Sequence, residues 1–381
     1  MDEHTLELLE FPKIQEELAG LCASPPGAEL LRGQPILTDP PAVDERLSLA
    51  LEFRAILESG ASMPGLDFPD LGDSFHRLGK EGLQMEGEEL AAIGRWILSG
   101  LKMKRLVLNA RPAGRLQAIA SQIPDLTPLS RCIFRLLDHE GVLREKQIPE
   151  LAAIRERIRR NREDADRSVR GLLDEHAYRS YWQTTTPTQR DGRIVLPLKA
   201  QYKGRVKGIV HEMSASGSTL FIEPLEVVEK NNAIVQEENL YRIEVRRILK
   251  DLTAAVSARA GEAGMLVQNV AFLDTFLARA RYALQHSCRR AEHDQRMLTL
   301  REARHPLLGT GVVPITVTID SSLRVLIITG PNTGGKTVSL KTVGLLALMH
   351  QFGMEIPAAE IVLAFVKQFF SRLPFLSSSL A

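Results

Sequence analysis

The 381 residues allow two or three domains, and 44% hydrophobic with 25% charged residues are ordinary proportions for a soluble globular protein. A net charge of +1 argues neither for nor against a nucleic-acid partner. The three cysteines lie far apart without metal-ligand spacing, which favours the reducing cytoplasm. The acidic, helical N-terminus is not typical of a signal peptide, and no apolar run of about 20 residues predicts a membrane span.

Helices are predicted from the N-terminus to about residue 137. Apolar residues at helical spacing predict one amphipathic helix over 4–21, a Pro/Gly turn follows at 24–27, and further helices cover Val43–Ser59 and Glu88–Val107. The stretch 90–124 contains no acidic residue. Its basic residues fit a solvated helical face at least as well as a nucleic-acid patch, and they are Arg95, Lys102, Lys104, Arg105, Arg111 and Arg115.

Two highly charged segments, 143–179 and 226–256, each carry a narrow apolar seam. The first seam is Leu151, Ile154, Ile158, Ala165 and Leu172; the second is Ile234, Tyr241, Val245, Ile248, Leu252 and Val256. A narrow seam with charged flanks predicts a two-helix arm that leaves the core and returns. Two helices lying on a core remain an alternative.

Between the two segments, residues 181–224 contain the β-rich runs RIVLPLKA, RVKGIVHE and STLFIE, which predict a small antiparallel sheet. From residue 189 to 211 one acid, Asp191, stands against six basic residues: Arg190, Arg193, Lys199, Lys203, Arg205 and Lys207. This excess predicts positioning contacts with a nucleic-acid backbone, since no aromatic platform is evident beside it. The alternative is that these cations keep a β-edge soluble. The run SASGS at 214–218 favours a turn over a nucleophile loop, because it lacks the Gly-x-Ser-x-Gly elbow.

A long helix is predicted after residue 257, and the β-rich run VVPITVTID then leads to a phosphate-binding loop. A buried strand is expected at Val325–Thr329 and a helix at Thr337–His350. Glycine-rich turns between a strand and a helix let backbone N–H groups converge on phosphates. The pattern predicts an ATP site in which Lys336 reaches the β- and γ-phosphates and the Thr337 hydroxyl holds Mg²⁺. The loop residues are Gly330, Pro331, Asn332, Thr333, Gly334, Gly335, Lys336 and Thr337.

The segment that follows the loop lacks an acid for the Mg²⁺ shell. No Asp or Glu occurs after Glu360, so the Walker B carboxylate that completes the site in P-loop ATPases is missing. The sequence predicts that ATP binds without appreciable turnover.

The chain resembles the bacterial MutS homologues of the MutS-II branch from its start to about Ala359. The resemblance rests on GPNTGGKT with SLKTVGLLALM, on RHPLL, on the opening TLELLEF, and above all on GRIVLPLKAQYKGRVKGIVHEMSASGSTLFIEPLEVVEKNN. It implies a mostly α fold: a helical core with a two-helix coiled-coil lever and a small β clamp tip, followed by the start of an α/β P-loop ATPase domain. The implied divisions are core 1–142, lever 143–180, clamp tip 181–224, returning lever 225–257, core 258–300 and ATPase domain 301–381.

The resemblance implies an ATPase homodimer that binds branched or mismatched DNA, restrains recombination, binds ribosomes through rRNA and rescues them, and carries a C-terminal nuclease domain. The nuclease region and the motif that completes the partner's ATP site have no counterpart here, so the expectation is a C-terminally truncated form without nuclease activity. Two alternatives stay open. One is a non-enzymatic coiled-coil binding module with a relic phosphate loop, and the other is an ATPase of the SMC or ABC type, in which the loop precedes the arm.

Overall fold

A computed structural model of the chain shows a mostly helical protein with two four-stranded sheets. It divides into two compact units, and the second comprises Gly79–Ala91 and Arg131–Ala258. The first comprises Met1–Leu78, Ala92–Ser130 and Arg259–Ala381. The structure describes residues 3–60, 63–72, 77, 84–111, 114–293, 297–309, 311–319, 322, 327–329 and 335–363.

The helices and strands are numbered here in chain order. The helices are α1 Glu3–Leu8, α2 Phe11–Gly20, α3 Pro25–Arg32, α4 Pro40–Glu58, α5 Gly87–Leu108, α6 Arg115–Ser121, α7 Thr127–Leu136, α8 Pro149–Asp174, α9 Leu225–Ser257, α10 Ala260–Gln285 and α11 Lys336–Gln351. The strands are β1 Thr188–Arg190, β2 Arg193–Lys199, β3 Gly208–Met213, β4 Thr219–Pro224, β5 Glu292–His293, β6 Leu298–Ala303, β7 Ile315–Ile319 and β8 Glu360–Leu363. Among the helices so described, none has both the length and the apolar character needed to cross a membrane.

The N-terminal segment folds as two helices, so the single helix predicted over 4–21 is wrong. Glu10 takes a left-handed backbone conformation, with φ of 60°, between α1 and α2. Pro12 lacks a backbone N–H and is tolerated only in the first turn of a helix, where that donor would have no helical partner. The apolar spacing is still used as predicted, because Ile14 and Leu18 are fully buried.

The core of the first unit forms around α10, which packs on α2, α3 and α4. The Asp274 carboxylate on α10 is fully buried and accepts hydrogen bonds from the backbone N–H groups of Ala23 and Ser24, each at 2.8 Å, and from the Ser24 hydroxyl at 2.6 Å. Ser24 in turn caps the start of α3 by accepting from the Gly27 N–H. Burial raises the pKa of Asp274 despite these three donors. One acid therefore fixes where α3 begins against α10.

The sheet of the first unit has the order β5-β8-β6-β7. β5 pairs in parallel with β8, whereas β6 pairs antiparallel with both β7 and β8. The predicted β-rich approach to the phosphate loop is confirmed as β7. Among the described strands of this sheet, β5 and β8 are the one parallel pair.

The second unit contains two long helices, α8 and α9, that pack against each other. The first predicted seam is buried or nearly so along α8, and Ile234, Ile248, Leu252 and Val256 are buried on α9. Ion pairs flank the seam on its exposed sides, joining Arg157 to Glu237 at 2.8 Å. The helices that the sequence predicts are therefore present, with the charges outside and the apolar residues between them.

The sheet of the second unit, here called the tip sheet, consists of β1–β4 in the order β1-β2-β4-β3 and is antiparallel throughout. Its buried residues pack with the end of α8 and the start of α9, in one cluster that includes Leu173, Leu196, Ile222 and Val227. Three of its strands coincide with the predicted runs, and β1 was not predicted. The predicted turn at 214–218 is confirmed, since the Gly217 N–H donates to the Ser214 carbonyl at 2.8 Å.

Candidate functional site

The described end of the predicted phosphate loop is the start of α11. Gly335 has φ of +76°, a conformation that residues with a Cβ rarely adopt, and Lys336 is the first residue of the helix. Thr337 is exposed, and Ser339 binds the Gly335 carbonyl through both its N–H, at 2.9 Å, and its hydroxyl, at 3.0 Å. A helix N-terminus suits an anion, so this end of the loop fits a phosphate. The other predicted loop residues lie outside the described residues: Gly330, Pro331, Asn332, Thr333 and Gly334.

The prediction of a strand before the loop is wrong for residues 327–329, the part of it that the structure describes. Ile327–Thr329 form no strand, and the Ile327 side chain is 78% exposed; Val325 and Leu326 lie outside the described residues. A buried strand needs neighbouring strands and covered faces, and none of the described strands pairs with 327–329. The apolar β-branched run alone was therefore not sufficient to form it.

The C-terminal end of α11 is fixed in the core of the first unit. The Phe352 carbonyl accepts hydrogen bonds from Arg279 at 3.1 Å and from Arg46 at 3.4 Å. Arg279 is 2% exposed, and burial lowers its pKa to about 9. Cations are favourable at a helix C-terminus, so the two arginines stabilise α11 at the end opposite the loop.

No group of three or more His, Cys, Asp or Glu side chains gathers as a metal site anywhere in the described ranges. Asp320 lies outside those ranges. Glu360 lies on β8, exposed, with its carboxylate 3.6 Å from Arg301. Thr337 is thus the one predicted Mg²⁺ ligand whose position the structure gives, and Mg²⁺ binding stays a prediction.

A buried carboxylate ties the tip sheet to α9. Glu223 on β4 is fully buried and accepts hydrogen bonds from Arg193 at 2.7 Å, Asn231 at 2.9 Å and His211 at 2.6 Å. Asn231, on α9, also exchanges two hydrogen bonds with the backbone of Ile194. Burial opposes ionisation of Glu223, but the hydrogen bonds from Asn231, His211 and Arg193 together hold its pKa below the usual value. Strands β2, β3 and β4 and helix α9 therefore meet at one charged centre.

The close approach of β3 to β4 depends on a glycine beside this centre. A Cβ on Gly208 would lie 2.4 Å from the Glu223 carbonyl oxygen. A larger residue would push β3 away from β4 and separate His211 from the carboxylate.

Two of the six predicted basic residues pair with carboxylates of the tip sheet. Arg190 pairs with Glu212 at 2.6 Å and lies over the Phe221 ring at 4.2 Å. Arg193 pairs with the buried Glu223. Since their guanidinium groups already have carboxylate partners, they are less available to phosphates than unpaired cations are.

The other four basic residues follow one another along the end of β2 and the turn to β3. Lys199 donates to the Ser180 carbonyl at 2.9 Å. Lys203, Arg205 and Lys207 are exposed, and within the described ranges their side chains make no hydrogen bond or ion pair. Lys207 directly precedes the edge strand β3, where a lysine also discourages strand pairing. The turn therefore presents three cations to solvent.

The structure contradicts the expectation that no aromatic platform accompanies these cations. The rings of Tyr181 and Tyr202 stack with centroids 4.2 Å apart and planes 21° apart, and the Tyr178 ring lies 5.8 Å from that of Tyr181. The sequence signal was present in the YRSYW and QYKGR runs, but the two are separated by about twenty residues and only the fold brings them together.

The acid-free stretch 90–124 is a weaker candidate for a nucleic-acid interface than its charge alone indicated. Arg95 pairs with Asp67 at 3.2 Å. Lys102, Lys104 and Arg105 donate to backbone carbonyls within 3.3 Å. Four of its six cations therefore already make hydrogen bonds or ion pairs within the protein.

Comparison with known proteins gives matches over nearly the whole chain. A family profile described as MutS domain V matches residues 326–378. Proteins named Endonuclease MutS2 match from Pelotomaculum thermopropionicum, at 34% identity over 94% of this chain and 46% of the relative, and from Symbiobacterium thermophilum, at 37% over 94% and 45%. A third, from Synechocystis sp., matches at 35% over 94% and 45%. The chain spans about half the length of the curated relatives it matches.

Proposed function

The chain belongs to the MutS2-type proteins, and on that premise we propose that it binds DNA through the tip sheet and ATP–Mg²⁺ through residues 330–337. The DNA contacts are made to phosphates by Lys203, Arg205 and Lys207. Branched or mismatched DNA is the proposed ligand. The helix pair α8–α9 is proposed to act as a lever that transmits DNA binding at the tip sheet to the rest of the protein.

One observation carries the DNA proposal: three adjacent exposed cations without partners among the described residues. No acid occurs between residues 192 and 211, so nothing in that segment neutralises them. Cations paired with carboxylates lose most of their attraction for phosphate, which is why Arg190 and Arg193 are not included. We therefore limit the proposed phosphate contacts to these three exposed cations.

The experiment replaces Lys203, Arg205 and Lys207 by alanine in the full chain and measures duplex binding. At about 50 mM salt each lost phosphate contact is expected to weaken binding about 15-fold, because counterion release contributes about 0.9 × log(1/0.05), or about 1.2, units of log K per contact. The loss is expected to be independent of DNA sequence, since phosphate contacts carry no sequence information.

A matched control removes three exposed cations from the returning helix: Arg242, Arg246 and Lys250 to alanine. This variant has the same net charge, and its affinity is expected to stay within about threefold of the parent, since cations more than about 10 Å from DNA are largely screened. Equal loss in both variants would show that only net charge matters and would contradict the proposal.

The proposal of ATP binding rests on a different observation. Gly335 has a left-handed backbone conformation, and α11 begins directly after it at Lys336. Saturating ATP–Mg²⁺, at about 100-fold over Kd, is expected to stabilise the folded chain by about 2.7 kcal/mol in thermal unfolding. Lys336→Ala is expected to abolish the shift, whereas Lys341→Ala, on the same helix, is expected to keep it. No shift in the parent would favour the alternative of a coiled-coil binding module with a relic loop.

The finer expectations of the resemblance are also proposals for this chain. They are homodimerisation, rRNA and ribosome binding, and a role in recombination. Sedimentation with and without ATP, and co-sedimentation with ribosomes, would test the first two.

A further inference from the structure

The tyrosine cluster at the end of the tip sheet has features that phosphate binding alone does not require. Tyr178, Tyr181 and Tyr202 are all partly exposed, and within the described ranges none of their hydroxyls makes a hydrogen bond. Part of each ring packs on the buried cluster of the tip sheet. The remaining, exposed parts lie side by side and present an aromatic surface with a polar hydroxyl on each ring.

Backbone hydrogen bonds place this surface beside the exposed cations. The Lys199 N–H donates to the Tyr181 carbonyl at 2.9 Å, which aligns the two segments. The Arg205 N–H donates to the Tyr202 carbonyl at 3.0 Å, so the turn that carries Lys203 folds back on Tyr202. These hydrogen bonds therefore make the residues that carry the rings and the cations neighbours at the end of β2.

We propose that Tyr181 and Tyr202 form a stacking platform for an unpaired nucleobase, with Lys203 and Arg205 binding the adjoining phosphates. Stacking on aromatic side chains beside a basic groove is how proteins hold single strands without sequence preference, because every base has a π-face. Bases inside a duplex are already stacked and cannot reach the platform. The ligand is thus a single strand, or the unpaired part of a branched structure.

This inference rests on the proposed DNA binding, and its test separates the two. Fluorescent oligothymidylate of about 16 nucleotides, the upper site size of a single-strand-binding fold, is compared with a duplex of equal length and with oligouridylate. In the full chain, the double variant Tyr181→Leu, Tyr202→Leu keeps apolar volume but removes the π-faces. Its affinity for the single strand is expected to fall by about 5- to 150-fold, the range for losing one stacked base, with duplex affinity within twofold.

Two controls distinguish stacking from structure. Tyr181→Phe with Tyr202→Phe keeps the rings and is expected to retain single-strand affinity. Tyr241→Leu removes a partly buried tyrosine of α9, whose hydroxyl bonds Glu145, and is expected to leave single-strand affinity unchanged.

Equal loss for single strand and duplex in the leucine variant would show a structural role and overturn the platform. No loss in that variant, with loss in Lys203→Ala, Arg205→Ala, Lys207→Ala, would overturn the platform and leave the proposed function standing. A parent chain that binds no nucleic acid would overturn both. Loss confined to oligothymidylate, or to oligouridylate, supports the platform and identifies DNA or RNA as the ligand.

Discussion

Replacement of Glu223 by alanine tests how firmly the tip sheet is joined to α9. The change leaves Arg193, Asn231 and His211 without their shared acceptor. Removing one partner of a buried ion pair costs about 3–5 kcal/mol. The Arg193 side chain retains 23% exposure, so water compensates part of the loss and we expect the lower end, about 3 kcal/mol.

The assay is hydrogen exchange of the full chain, followed on peptides covering β2–β4. A local loss of about 3 kcal/mol corresponds to exchange faster by at least about 100-fold, at 1.4 kcal/mol per factor of ten. Glu212→Ala is the matched control, since Glu212 is 56% exposed in its pair with Arg190 and such pairs contribute about 0–1 kcal/mol. Exchange in the Glu223 variant no faster than in this control would refute the reasoning.

Three further predictions concern buried or partly buried groups. The pKa of Glu223 is lower in the folded state than the unfolded value of 4.5, so its ionised form stabilises the fold above pH 4.5 and this stability is lost as the pH falls below it. Protection of β2–β4 from hydrogen exchange in the parent should therefore decrease from pH 4.5 downward. Glu223→Ala should lose this pH dependence. Burial lowers the pKa of His350 from 6.5 to about 4, so between these pH values the folded state binds fewer protons than the unfolded state. The free energy of unfolding in urea should therefore fall by up to about 3 kcal/mol from pH 6.5 to pH 4. The fall should be smaller in His350→Phe, and an equal fall would contradict the assignment. Burial raises the pKa of Cys22 to about 12 and also raises that of Cys288. In a Cys132→Ser variant, thiol labelling at pH 8 should therefore be at least about 100-fold slower in the native chain than in urea. Comparable rates would show that these thiols are accessible.

The predictions from sequence succeeded where periodicity is strong over a long segment. The seams of α8 and α9 are read directly from apolar spacing, because a helix pair must bury one stripe each. Three strands of the tip sheet followed from β-branched runs bounded by glycines. The helix after the phosphate loop followed from its apolar content.

The failures have different physical causes. The helix over 4–21 was interrupted by Pro12, whose effect on the backbone outweighs apolar spacing. Residues 327–329 of the predicted strand needed neighbours that the described sheets do not provide. β1 is only three residues long, below what a local pattern can signal.

Within the candidate site, the six basic residues were found from charge but not separated into internal and exposed sets. That separation depends on Glu212, Glu223 and Ser180, which become neighbours only after folding. The tyrosine cluster was missed for the same reason, because Tyr181 approaches Tyr202 through the backbone hydrogen bond from Lys199 and not through sequence proximity.

The salt dependence of duplex binding tests the central claim most directly. If Lys203, Arg205 and Lys207 each contact a phosphate, replacing all three by alanine should reduce the slope of log K against log[salt] by roughly 2.7 units, at about 0.9 per contact. The Arg242, Arg246 and Lys250 variant should keep the parent slope. Parallel lines for parent and tip variant, with hydrogen exchange showing an intact tip sheet, would contradict the claim that the tip binds DNA.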